Sequence, residues 1–185
     1  MRELQGGNGK SITSTYIQKG ATGIRIGLLS EPAYKEALEF MIILCADGVF
    51  ADWAEKAFYL PTRCVKPAQD VLWAFGGRMF PGENFHTAMQ RILKDDTGLD
   101  VPCSCMTFQR FQDYQWSDEI AQEGVGSHNF CLTGVIWSTI QMRAKIRLNP
   151  KEYHVERGLT RIGREDLGKV PPPMRDLFYF TFGAE

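Results

Sequence analysis

Apolar residues recur along this chain with two spacings. Over residues 84–96, Phe85, Ala88, Met89, Ile92 and Leu93 stand at i, i+3, i+4, i+7 and i+8, the stripe of an amphipathic helix. Gly98, just past the stripe, is the residue type that ends helices in a left-handed turn. Elsewhere the apolar runs are short and strand-like. Residues 40–45 predict a first strand, 57–62 alternate well enough for a second, and 71–75, after Pro67, predict a third. The Asp47-Gly48 pair between the first two reads as their turn. Ser30 as N-cap and Pro32 in the first turn predict a short helix over 31–39. Two longer strands are expected near 103–112 and 129–140, separated by a polar loop, 113–127, that carries Trp116. A strand near 153–162 and a helix near 171–178, opened by three prolines, complete the chain. Strands interleaved with helices in this way predict an α/β fold of the α+β sandwich kind, a mixed β-sheet flanked by helices.

Composition narrows the class of function. The 185 residues are one domain's worth, with 31–185 expected to form a single domain behind an N-terminal arm or extra strand over 1–30. Hydrophobic residues make up 44%, charged residues 23%, and the net charge is −1, so no nucleic-acid footprint is visible. The longest apolar run, 40–45, falls far short of the roughly 20 residues of a membrane helix, and no apolar segment follows a basic start as in a secretory signal. Five cysteines, an odd number without a CxxC pair, point to reduced thiols in a cytoplasm. Gly9-Lys10-Ser11 is not the end of a P-loop, because Leu4 stands where the first glycine is required.

The chemistry concentrates at 76–99. Gly77, five residues, Glu83, seven residues and Arg91 are followed by Ile92, Leu93, Lys94, Asp95, Asp96, Thr97, Gly98 and Leu99. Residues at i, i+3 and i+4 share one helix face. Carboxylates placed there can converge on a hard cation that keeps waters for phosphate oxygens.

This spacing resembles the Nudix box, G-x5-E-x7-R-E-U-x-E-E-x-G-U with U a bulky apolar residue. Ile92 replaces one carboxylate of that pattern, and Asp95 and Asp96 are each one methylene shorter than the usual Glu. A Nudix fold is therefore expected. Residues 63–78, with Arg63, Pro67-Ala68-Gln69, Trp73 and Gly76-Gly77-Arg78, further resemble the GDP-mannose mannosyl hydrolase branch of that superfamily. The resemblance covers about 38–167 and is specific over 63–99.

The resemblance implies a Mg²⁺-dependent enzyme, with Mn²⁺ as the alternative cation, acting on a nucleotide sugar. Water would attack the anomeric carbon and release a hexose and a nucleoside diphosphate. Arg78, Arg91 and Arg63 would stabilise the departing diphosphate. Gly76, through its carbonyl, and Asp96, with Asp95 beside it, would hold the metal, and His154 would be the general base. Two further positions, His128 and Trp116, could contact the substrate, and Trp73 could stack on it or lie in the core. Glu156, two residues from His154 along an extended segment, is the rival base or metal ligand. Tyr153 stands where that branch has a metal-binding Gln. A homodimer in the cytoplasm is expected. Two alternatives follow from the departures: a Nudix pyrophosphohydrolase attacking phosphorus, and a silent module that binds a nucleotide without turnover.

Overall fold

The computed structural model describes residues 30–117 and 126–184. The expected N-terminal arm, and with it Gly9-Lys10-Ser11, lies outside the described residues, as does part of the loop expected at 113–127.

Helix α1 (Glu31–Phe40) leads into β1 (Ile43–Asp52) and β2 (Ala57–Pro61). Strand β3 (Phe75–Arg78) and helix α2 (Phe85–Thr97) follow, then β4 (Met106–Trp116) and β5 (Ser127–Trp137). Short α3 (Ile140–Arg143), β6 (Leu159–Ile162) and α4 (Pro172–Phe182) end the described chain. The strands form one sheet in the order β4-β5-β1-β2-β6, with β3 also paired to β1. Among the described residues only β1 and β5 run parallel; the other pairs are antiparallel. The sheet is mixed, as expected.

Each face of the sheet carries its own apolar cluster. On one, Phe85, Met89 and Leu93 of α2 pack with Phe50, Phe75 and Ile136. On the other, Met174, Leu177 and Phe178 of α4 pack with Phe58, Leu60 and Val135. The fold is a helix-sheet-helix sandwich. Helix α2 starts at a reciprocal cap in which Asn84 Oδ1 accepts from the Thr87 N–H and Thr87 Oγ1 accepts from the Asn84 N–H. It ends at Gly98, with φ 73°. The cap is worth about 1 kcal/mol.

Three expectations are corrected. Asp47-Gly48 is no turn: both residues lie inside β1, pairing with Gly76 and Phe75 on one side and Thr133 and Gly134 on the other. The chain instead reverses at 53–56, where Asp52 Oδ1 accepts from the Ala54 and Glu55 N–H groups and Lys56 takes φ 45°. Gly48 serves close packing, since a Cβ there would meet Ile136 at 2.5 Å and Met89 at 2.8 Å. The third strand runs over Phe75–Arg78 and not 71–75, because Leu72 makes only an isolated bridge to Thr62 while Phe75 to Arg78 pair in register with Gly48 to Cys45. Trp116 belongs to β4 and not to a loop, since the β4–β5 ladder continues to its pairing with Ser127.

Candidate active site

A cleft of about 690 Å³ opens where β1, β3 and β5 meet the C-terminal half of α2. Its wall takes Tyr34 from α1, Arg63 and Lys66 from the segment after β2, and Glu152 from the stretch before β6. Of the residues expected to act, Gly76, Arg78, Arg63, Arg91, Asp95, Asp96 and Trp116 all line this cleft.

Three expected residues do not. His154 is held between Asp70, at 2.9 Å from Nε2, and Glu156, at 3.0 Å from Nδ1, outside the cleft lining. His128 pairs with Asp113 at 2.9 Å, also away from the cleft. Glu156 is exposed and does not line the cleft either.

The three arginines differ in what they are free to do. Arg91 donates from Nε to Glu83 Oε1 at 2.7 Å and from Nη2 to Glu83 Oε2 at 2.8 Å. Its Nη2 also donates to the Arg78 carbonyl at 2.9 Å, and its guanidinium lies over the Phe80 ring. Arg91 thus fastens α2 to the 78–83 loop, and its bidentate grip on Glu83 holds that carboxyl below the usual range. Arg63 is nearly buried, and its contacts are longer: 3.3 Å to Glu152 Oε2, and 3.4 Å to the carbonyls of Val65 and Lys66. Arg78, at the end of β3, stacks its guanidinium on the Tyr34 ring, 3.6 Å from the centroid. We expect Arg91→Ala to destabilise the fold by about 1.5–3 kcal/mol, the worth of hydrogen bonds to a charged group. Urea denaturation checks this. Because the Glu83 pKa is depressed, the stability the pair contributes is present above the ordinary carboxylate pKa and is lost as pH falls through the lowered one.

Sequence reasoning missed Asp47. It is 5% exposed on β1, directly opposite Gly76 on β3. A Cβ on Gly76 would stand 2.1 Å from Asp47 Oδ1, so only glycine leaves room for this carboxyl in the cleft floor. Burial pushes its pKa up to about 7, against the pull of Arg63 and hydrogen bonds with Trp73 and Cys131. The signal was present, a lone acid inside an apolar stretch, but the Asp-Gly pair outweighed it. A raised folded pKa means that the stability Asp47 contributes is complete below its unfolded pKa near 4 and lost as pH rises toward 7. Asp47→Asn is therefore expected to gain stability relative to wild type between pH 5 and pH 8, by about 2 kcal/mol. Chemical denaturation at those two pH values checks it.

Asp96 is 8% exposed and accepts a hydrogen bond from the Tyr153 hydroxyl at 2.7 Å. Burial raises its pKa to about 6, opposed by the Tyr153 bond and reinforced by Glu152. Asp95, one residue earlier, is exposed on the cleft rim. Ile92 is buried in the α2 cluster, where it fills space beside Gly77. Among the described residues, no three His, Cys, Asp or Glu side chains form an all-protein metal cage. Mg²⁺ does not require one, since it binds through one or two carboxylates together with waters and substrate phosphates. A buried carboxylate crowded by a second acid is a donor set that such a cation relieves, so Asp96, Asp95 and the Gly76 carbonyl fit a cation held jointly with substrate.

No family model and no curated protein matches this sequence. Solved structures do share its architecture. A dihydroneopterin triphosphate pyrophosphohydrolase from E. coli superposes with a TM-score of 0.55 at 12% identity, covering 75% of this chain and 94% of that one. A MutT NUDIX hydrolase from Burkholderia pseudomallei gives 0.52 at 15% identity, over 72% and 89% of the two chains. An Ap4A hydrolase from C. elegans gives 0.52 at 16% identity, over 76% and 95%. With its mixed sheet held between α2 and α4, the chain has the fold of the Nudix hydrolases.

Proposed function

We propose that this protein is a hydrolase of nucleoside diphosphate derivatives, and within that class a nucleotide-sugar hydrolase in which water attacks the anomeric carbon. One observation carries the reading: a single cleft joins Arg63 and Arg78 to the Asp95–Asp96 pair on one wall and to a buried acid, Asp47, in its floor. The arginines face the charge that grows on a departing diphosphate, and preorganised positive charge of this kind is typically worth about 3–4 kcal/mol per donor. Bound Mg²⁺ would add positive charge against the same leaving group.

The floor suits a sugar. Asp47 and Asn129 offer polar atoms there, and beside them Trp73 packs edge to face on Tyr114 and Trp116, with ring centroids 5.2 and 5.1 Å away. Such a pocket presents hydrogen-bonding groups and apolar ring surface together. A carboxyl with a pKa near 7 is matched to accepting a proton from water at neutral pH, so we assign the general base to Asp47 and not to His154.

A panel of nucleotide sugars incubated with Mg²⁺ tests this, with products separated as nucleoside diphosphate or monophosphate. Diphosphate and free hexose are expected. Monophosphate would favour attack at phosphorus. Tyr153 in place of a metal-binding Gln, with the shortened Asp95 and Asp96, favours a second reading, a module that binds nucleotides without turnover. Tight binding with no product from any member of the panel would select it. The expected homodimer is a separate proposal, which sedimentation equilibrium checks.

A further inference from the structure

Residues 147–153 are stitched to the end of α2. The Arg147 N–H donates to the Thr97 carbonyl and the Asn149 N–H to the Asp96 carbonyl, each at 2.9 Å. These satisfy helix-end carbonyls that have no partner within the helix. The Tyr153 N–H then turns back to the Asn149 carbonyl at 3.0 Å, and Tyr153 bridges Arg63 across the cleft wall. The ring of Tyr153 is 1% exposed and packs against Phe75 with centroids 5.3 Å apart. Its hydroxyl is delivered to one atom, Asp96 Oδ2.

We propose that Tyr153 is a positioning residue for a cation-holding carboxylate, its hydroxyl fixing Oδ2 of Asp96 so that Oδ1 is presented to the cleft. This rests on the reading of Asp96 as a metal ligand given above. A side chain as short as Asp has two rotatable bonds, and fixing one oxygen fixes the other. The clamp also explains why a shortened acid and a bulky phenol occur together: the backbone stitching brings the 147–153 segment close enough for the phenol to reach an Asp. A phenol that merely satisfied itself in the core would leave the cation unaffected.

The test measures Mn²⁺ binding to the full chain by electron paramagnetic resonance of the free ion, with and without GDP. Tyr153→Phe keeps the ring and is expected to weaken Mn²⁺ binding about 10–100-fold, the usual cost of losing a partner that orients a metal ligand. In an Asp96→Asn background the same change is expected to have no further effect. Wild-type affinity in Tyr153→Phe overturns the proposal while leaving the metal reading intact. Wild-type protein that binds no Mn²⁺ in either condition overturns both. A second measurement does not depend on that variant folding: 3-fluorotyrosine placed at 153 is expected to shift its ¹⁹F resonance on Mg²⁺ titration. A resonance that stays fixed while Mg²⁺ binds also overturns the proposal.

Discussion

Arg78→Ala is expected to lower kcat for nucleotide-sugar hydrolysis by about 10²–10³, with the fold intact. Three arginines line the cleft, but they are not equivalent. Arg91 spends its guanidinium on Glu83 and on the Arg78 carbonyl, so its loss reads first as instability. Arg63 is packed under the wall with Glu152. Arg78 reaches the cleft from the end of β3, steadied by the face of Tyr34, and its charge is the one best placed to act on a leaving group. Steady-state kinetics beside thermal unfolding separates the cases. A loss of stability with unchanged turnover would make Arg78 a structural residue.

A larger effect is expected at Asp47. Replacing it by Asn removes the proton acceptor with little change in shape, and turnover should fall by about 10²–10⁴. His154→Gln should leave turnover within a few-fold of wild type, because that imidazole is held by Asp70 and Glu156 outside the cleft. With Asp47 as base, the acid limb of the pH profile of kcat/KM should fall away below about pH 7, where the carboxyl takes up its proton. The reverse pattern, an inert Asp47→Asn and a crippled His154→Gln, would return the base to the histidine.

Helix α2 was legible in the sequence and Asp47 was not, and the reason lies in the range of the interactions that place them. Helix α2 is local: its stripe, its cap and Gly98 all sit within 84–98, so both ends could be read from spacing. Glu83 and Arg91 are eight apart and meet through that same helix. Asp47 becomes a cleft residue only because β3 and β5 flank β1, a pairing between strands about 30 and 86 residues away in the chain that no local pattern encodes. Asp-Gly is a strong turn signal in isolation, and here long-range pairing overrode it. His154 was expected as the base from the family resemblance, and Glu156 as its rival from an extended segment. The chain instead enters a short 3-10 turn at Val155–Arg157, which leaves His154 between Asp70 and Glu156. Tyr153, which stands in place of a metal-binding Gln, touches Asp96 through backbone stitching that side-chain chemistry alone could not reveal.

Hydrolysis in ¹⁸O-labelled water tests whether the cleft directs water to carbon or to phosphorus. With a nucleotide sugar that turns over, the label is expected on the released hexose and none on the nucleoside diphosphate, as read by mass spectrometry. Label in a phosphate, accompanied by nucleoside monophosphate and sugar phosphate, would contradict the assignment and make this protein a pyrophosphohydrolase.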